Sequence, residues 1–166
     1  MMTCERGEPY DAGTNPSGTA GPWRRLLMTL PAEDYSVRLA RNAAHVVLGA
    51  WRLAHMEDTA VLIVSELVTN AVRHAGGTDV VEVDLHATRT CLRIEIQDSD
   101  RDWPLPRIPG GFEESGYGFV LVDALAAKWG VRETTEGKAV WAELDIRRGG
   151  VAGGPFGPIS NGHLGG

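Results

Sequence analysis

The sequence predicts an α/β fold: a two-layer sandwich in which a mixed, mostly antiparallel sheet is covered by helices on one face. Residues 81–97 alternate apolar and polar positions on either side of a short turn, and strands joined in this way pair antiparallel. Three other segments carry apolar residues at helical spacing, so each needs a sheet face against which to bury them. A Rossmann fold or a TIM barrel is excluded because strands and helices do not alternate regularly.

One strand and one helix are predicted at the start of the patterned region. Residues 26–30 alternate as a short strand that stops at Pro31. The following segment is helical, and Asp34 or Ser36 is suited to cap its start. Its apolar positions are Val37, Ala40, Ala44, Val47, Leu48 and Trp51.

The second helix gives the strongest helical signal in the chain. It opens near Glu57 and Asp58, acidic residues that suit a helix N-terminus, and Gly76 and Gly77 end it. Its buried face is predicted to consist of Val61, Val64, Leu67, Val68, Ala71, Val72 and Ala75.

The second half of the chain predicts two hairpins separated by a long loop and a third helix. The first hairpin joins strands at 81–87 and 92–97. Residues 99–115 are rich in proline and paired glycines, and long loops inside compact domains are usually functional or mobile. The third helix begins at 116–118, and a closing hairpin that turns at Glu136 and Gly137 occupies residues up to 146.

Composition and charge limit the function classes. The chain has 166 residues, 43% of them hydrophobic, and 22 acidic against 16 basic residues give a net charge of -6. This balance does not favour binding to a nucleic-acid backbone or to an anionic membrane. No stretch approaches the roughly 20 apolar residues that span a bilayer, and no apolar signal core precedes the patterned region, so the expected location is the cytoplasm.

Glycine and proline divide the chain into three parts. Residues 1–21 lack apolar periodicity and are expected to form a flexible tail, as is the glycine-rich segment 148–166. The globular domain is therefore expected at 22–147. Cys4 and Cys91 do not form a disulfide framework, and the histidines lack the spacing of a zinc site.

Three polar residues on the second helix carry the strongest chemical signal. Glu66, Asn70 and His74 are spaced four residues apart, which places them along one side of the helix. A carboxylate, an amide and an imidazole in this arrangement can orient a hydroxyl, ligate a hard cation or contact an anion. Taken alone, three polar residues at this spacing are more often a solvated helix face.

Two further positions could contact a ligand. Asp98 ends a strand where the long loop begins, and its carboxylate can accept a hydrogen bond from an exocyclic amine; a turn-starting aspartate is the alternative. Gly116 and Gly118 flank the start of the third helix, where free backbone N–H groups suit a phosphate. Taken alone, this Gly-x-Gly pair is more often a simple turn than a phosphate site.

Together these segments resemble the nucleotide-binding boxes of the GHKL, or Bergerat-fold, ATPases. Within that superfamily the sequence is most similar to the small bacterial anti-sigma-factor serine/threonine kinases and their histidine-kinase-like relatives. The first box is the most specific, and the likeness extends roughly from Trp23 to Ile146. The matching segments are Ser65 to Ala75, Asp98, Glu114 to Val122, and Gly137 to Trp141.

The resemblance assigns a role to each matching residue. It implies that Glu66 polarises the attacking hydroxyl or water, that Asn70 is the side-chain ligand of Mg²⁺ on ATP, and that Asp98 accepts the adenine amino group. Gly116 and Gly118 would form the hinge of an ATP lid whose amides contact phosphate. His74 would line the site, with a structural role as an equal alternative. Lys138 could reach a phosphate, but the favoured interpretation is a solvated hairpin lysine.

The resemblance implies an Mg·ATP-dependent regulatory serine/threonine kinase. Its expected partners are a STAS-type anti-anti-sigma protein, which it phosphorylates, and a sigma factor, which it sequesters; a homodimer is a reasonable assembly. Three positions depart from the family pattern: Asp100 replaces a glycine, Tyr117 a frequent arginine, and Ala139 a frequent hydroxyl residue. They favour the alternative of an ATP-binding, partner-regulating module without phosphotransfer activity.

Overall fold

The computed structural model describes residues 24–74, 80–100 and 117–148, which form a five-stranded sheet with three helices. The element order follows the sequence-based prediction closely. The strands are β1 (Arg24–Pro31), β2 (Val80–Ala87), β3 (Cys91–Asp98), β4 (Lys128–Glu133) and β5 (Lys138–Asp145), and the helices are α1 (Asp34–Ala50), α2 (Glu57–His74) and α3 (Tyr117–Leu125).

The sheet has the strand order β1-β2-β3-β5-β4 and is antiparallel at all four described pairings. The predicted α/β two-layer architecture is therefore confirmed. β3 is the central strand, and its neighbour β5 is not consecutive in sequence because α3 and β4 lie between them. This non-local pairing places the end of β3 beside the start of β5.

The core lies between one face of the sheet and the helices. Alternate residues of β2 and β3 are buried, as expected for strands covered on a single face. α2 lies across this face and contacts β2, β3 and β5, while α1 packs along α2. The largest fully buried side chains are Leu48, Met56, Ile63, Leu67, Leu85, Leu92, Ile94, Ile96 and Leu144.

The opposite face of the sheet is polar and is crossed by ion pairs. Arg93 on β3 contacts Glu95 and Glu143, each at 2.9 Å, and its guanidinium lies 4.3 Å from the ring centroid of Trp141. Gly130 on β4 gives this ring its space, since a Cβ there would lie 2.8 Å from an indole carbon. The charges and the stacked arginine cover the backbone on a face that carries no described helix.

The predicted cap of α1 is wrong. The residue preceding the helix is Glu33, which makes no side-chain cap hydrogen bond, and Asp34 is already helical. Ser36 is buried inside the first turn, where its hydroxyl donates a 2.7 Å hydrogen bond to the carbonyl of Pro31. The hydroxyl of Ser36 is therefore used in a hydrogen bond to the end of β1 and does not cap the helix.

Several sequence-based expectations lie outside the described residues. These are the tail at 1–21, all but the first residue of the tail at 148–166, and nearly all of the loop at 99–115. No helix in the described parts of the chain is long and apolar enough to cross a membrane.

We expect Gly137→Ala to lower the free energy of unfolding by about 1–3 kcal/mol or more, because a Cβ at this position has no space. It would lie 2.1 Å from the carbonyl oxygen of Asp98 and 2.6 Å from the Cα of Ser99, both backbone atoms that cannot rotate away. Urea unfolding followed by circular dichroism measures this change.

Gly49→Ala is the matched control, because a Cβ on this helical glycine meets nothing within 4 Å. It should raise the free energy of unfolding by roughly 0.4–1 kcal/mol. Equal effects of the two substitutions would contradict the close approach at Gly137.

Candidate functional site

The predicted polar residues of α2 lie on one flank of the helix. Steps of four residues advance about 40° around the axis, so Glu66, Asn70 and His74 follow one another along the helix. The apolar face beside them is anchored by Ile63, Leu67 and the other buried residues of α2. Glu66 and Asn70 are half-buried, whereas His74 is the exposed last residue of the helix.

The side-chain amide of Asn70 is incompletely bonded. Its Nδ2 is buried and has no hydrogen-bond partner, and it is the one such side-chain atom in the described part of the chain. A buried amide left unpaired costs about 1–3 kcal/mol. The two ends of the amide exchange by rotation, so the group can present an oxygen to a cation or an N–H to an anion. An unpaired buried group of this kind is available to a ligand or to an ordered water.

Asp98 lies at the end of β3, where it faces Lys138 of β5. The two are Cα partners in the β3–β5 register, and each is only 4% exposed. Lys138 Nζ lies 3.2 Å from Asp98 Oδ1 and 2.7 Å from Asp100 Oδ2. The backbone N–H of Asp100 donates a 3.0 Å hydrogen bond to the same Oδ1. The Oδ1 atom of Asp98 therefore contacts both the ammonium group of Lys138 and the backbone N–H of Asp100.

Burial raises the pKa of Asp98 above the usual aspartate value, and Asp100 adds a smaller effect in the same direction. The positive charge and hydrogen bond of Lys138, together with the Asp100 N–H, lower this pKa and oppose the effect of burial. The protonation state of Asp98 therefore depends on Lys138.

Asp98 and the C-terminal half of α2 lie toward the same end of the sheet. After His74, only residues 75–79 separate α2 from the start of β2, a span of at most about 20 Å. β2 begins beside the end of β3, since Glu82 is opposite Gln97. Because α2 packs on both strands, its polar flank and the Asp98 carboxylate share one end of the domain.

The glycines and the departures from the family pattern are only partly described. Gly116 lies outside the described residues, and Gly118 is the second residue of α3. Ala139 is fully buried in β5, and its strand parity is opposite to that of Lys138, so it lies on the other face of the sheet from the Asp98–Lys138 pair. Asp100, which replaces a family glycine, holds Lys138 through its carboxylate.

Sequence reasoning missed the position of Lys138. The interpretation as a solvated hairpin lysine is wrong, because its side chain is almost completely buried. A signal for this was present: Lys138 has the same strand parity as Val140, Ala142 and Leu144, which all point to the core. The general preference of lysine for the surface concealed it.

A separate open cavity of about 410 Å³ lies between α1 and α2. Its lining includes Arg41, His45 and Glu57 but none of the residues predicted for the site. No group of three His, Cys, Asp or Glu residues within the described ranges could hold a metal ion. A divalent cation at Asn70 would therefore need further ligands from elsewhere.

Comparisons with known proteins identify the family and agree with the fold. A family model described as a histidine kinase-like ATPase domain matches residues 30–144. The fold is similar to a chain in the crystal structure of the RsbU and RsbW domains of Rv1364c from Mycobacterium tuberculosis, with a TM-score of 0.54 and 21% sequence identity. This match covers 72% of the present chain and 32% of that chain, and at this identity it shows the fold alone. No curated protein matches the sequence.

We expect Asn70→Ala to leave the stability of the unliganded protein unchanged or to raise it by up to about 1 kcal/mol, because it removes an unpaired buried amide and improves helix propensity. Thermal unfolding without ligand measures this.

Ser36→Ala is the control, since it removes a buried polar group that is hydrogen-bonded. It should lower stability by about 1 kcal/mol. A larger loss in Asn70→Ala than in Ser36→Ala would show that the amide has a structural role instead.

Proposed function

The chain belongs to the family of histidine kinase-like ATPase domains, and from this premise we propose that it is an Mg·ATP-binding regulatory serine/threonine kinase of the anti-sigma-factor type. Membership of the family implies ATP binding. The observation that carries the proposal is the unpaired buried amide of Asn70, on the flank of α2 that lies toward the same sheet end as Asp98. We assign residues 22–147 to the ATP-binding domain.

Asn70 fits the role of a magnesium ligand. Mg²⁺ is usually held by one or two protein oxygens together with phosphate oxygens and waters, so a lone amide oxygen is sufficient on the protein side. The amide has no competing partner at Nδ2, so its orientation can adapt to a ligand. When bound, the cation neutralises the charge of the ATP phosphates.

The other side chains have complementary tasks. Asp98 accepts a hydrogen bond from the adenine amino group, which fixes the base at the end of the sheet. Glu66 accepts the proton of the attacking seryl or threonyl hydroxyl. The hydroxyl oxygen forms a bond to the γ-phosphorus as the bond between the γ-phosphorus and the bridging β-phosphate oxygen breaks, and ADP leaves. His74 lines the edge of the site, and Gly116 and Gly118 form the hinge of a lid over the phosphates.

The proposed partners follow from the same resemblance. The phosphorylated protein would be a STAS-type anti-anti-sigma factor, and the sequestered protein a sigma factor, with a homodimer as the assembly. The solved structure of similar fold contains a domain named RsbW. The net charge of -6 supports protein partners over direct contact with nucleic acid.

A second candidate function is an ATP-binding module that regulates a partner without phosphotransfer. Ala139 favours it through the resemblance, because the family frequently has a hydroxyl residue at this position. Asp100 favours it as well, because a carboxylate occupied with Lys138 stands where the family has a flexible glycine. Both candidates require ATP binding, and they differ only in the transfer step.

Mg·ATP should raise the melting temperature of the parent protein by about 5–11 °C at one hundred times the dissociation constant. This corresponds to about 2.7 kcal/mol of stabilisation at roughly 2–4 °C per kcal/mol. Asn70→Ala should respond much less because it lacks the magnesium ligand. A parent shift below about 1 °C at millimolar Mg·ATP would contradict ATP binding, and equal shifts would reject Asn70 as the ligand.

Glu66→Gln should reduce phosphotransfer to a STAS domain by roughly 10²–10⁴-fold while ATP affinity changes little, because the amide keeps the size but cannot accept the proton. Transfer of radiolabelled phosphate measures this. The control is Glu82→Gln, a half-buried glutamate of β2 that alternates with the core-facing residues. Activity equal to the parent rejects Glu66 as the base, and no transfer by any of the three proteins supports the second candidate.

A further inference from the structure

The cluster of Asp98, Lys138 and Asp100 has a feature that family membership does not explain. It is a buried lysine placed between two carboxylates at the position proposed to bind the base. Removing an ammonium group from water is costly, and buried ion pairs often contribute little net stability. Stability alone therefore does not account for this cluster.

All three N–H donors of Lys138 have acceptors nearby. Its Nζ lies 2.7 Å from Asp100 Oδ2, 3.2 Å from Asp98 Oδ1 and 3.4 Å from the backbone carbonyl of Asp100. An ammonium group has three N–H donors and no acceptor, so these three contacts use its full hydrogen-bonding capacity. Lys138 is thus oriented toward the end of β3 and is not available to bind a phosphate.

The contacts use the two oxygens of Asp98 unequally. Oδ1 receives both the Asp100 N–H and the ammonium of Lys138. Within the described residues the hydrogen bonds reach Oδ1, and Oδ2 is the oxygen that we assign to the base. Two carboxylates and one ammonium also leave the cluster with one net negative charge, which suits a donor group.

We propose that Lys138, held by Asp100, is a specificity-determining positioning residue: it keeps Asp98 ionised and occupied at Oδ1, so that Oδ2 selects the exocyclic amine of adenine over the carbonyl of guanine. The inference rests on the proposed function because it needs a nucleotide at Asp98. Adenine presents an N–H donor to Oδ2, whereas guanine presents O6, a second acceptor that the carboxylate repels.

Loss of the lysine charge has a defined consequence. The groups whose charges act on Asp98 in the described structure are Lys138 and Asp100. Without Lys138, burial and the second carboxylate both raise the pKa of Asp98, so the protonated form becomes populated as the pH falls. A protonated carboxyl group can donate a hydrogen bond to O6 of guanine, and it no longer offers adenine a charged acceptor.

The test is calorimetric titration of the full chain with Mg·ATP and Mg·GTP. Lys138→Met keeps the length of the side chain and removes its charge. The chain offers a matched control in Lys128→Met, because Lys128 is its only other lysine and is exposed at the start of β4. We expect the parent and Lys128→Met to bind ATP at least about tenfold more tightly than GTP. Lys138→Met should lose about tenfold or more in ATP affinity at pH 7 and most of its preference over GTP.

The pH profile separates an electrostatic role from a structural one. The dissociation constant of Lys138→Met for ATP, divided by that of the parent, should be largest near pH 6. This ratio should decrease toward pH 9, where Asp98 ionises even without the lysine. Protonation of ATP is common to both proteins and cancels in this ratio. A structural defect would give a ratio that does not change with pH.

Asp100→Asn keeps the experiment decisive if Lys138→Met does not fold. It removes the nearest partner of the ammonium, which is then free to move onto Oδ2 of Asp98. We expect ATP affinity to fall at least about threefold. The loss of stability should be smaller than in Lys138→Met, because Lys138 keeps Asp98 as a partner, whereas removing the lysine leaves two carboxylates without their cation.

The outcomes are distinguishable. A parent that binds neither nucleotide overturns the proposed function and this inference with it. The inference alone is overturned if the parent binds ATP and GTP equally, or if folded Lys138→Met or Asp100→Asn binds ATP as tightly as the parent. Tighter ATP binding by Lys138→Met also overturns it. The last result would mean that Lys138 blocks the base site.

Discussion

The pairing of β3 with β5 is the interaction on which the rest of the structure depends. Along this register, the pairs Leu92 with Leu144, Ile94 with Ala142, and Ile96 with Val140 form the buried floor beneath the helices. The next pair on the same face is Asp98 with Lys138. A slip of one residue would turn all four pairs toward the other face, so the register that builds the core also places the charged cluster.

The close approach at Gly137 fixes the end of this register. The turn before β5 passes so near the backbone of Asp98 and Ser99 that only a residue without a Cβ fits. Lys138 follows immediately and enters the interior beside Asp98. The apolar pairs and this backbone contact therefore set the position of Asp98 before any ligand is considered.

The sequence predicted the local elements well and the non-local contacts poorly. Periodicity identified the helices and both hairpins, because each is formed by residues near one another in the chain. The adjacency of β3 and β5 required knowledge of tertiary packing, and with it the burial of Lys138. The cap of α1 failed for a similar reason: Ser36 has the composition of a cap but is used in a contact with Pro31. Helical spacing predicted the polar flank of α2, and the family resemblance gave its residues their roles. Neither could predict the unpaired amide of Asn70, which depends on the groups that surround it.

The two ends of the proposed nucleotide site differ in how complete they are. At the base end, Asp98 is already fixed by an ion pair and a backbone hydrogen bond, so an adenine amine would meet an acceptor that needs no rearrangement. At the metal end, the Asn70 amide has an unpaired buried group, a cost that the folded protein bears without ligand. Under the proposed function, the base docks on a prepared surface, whereas the phosphates and their cation complete the bonding of Asn70. The base end would therefore bind without rearrangement, whereas the metal end would gain its missing bond only from the ligand.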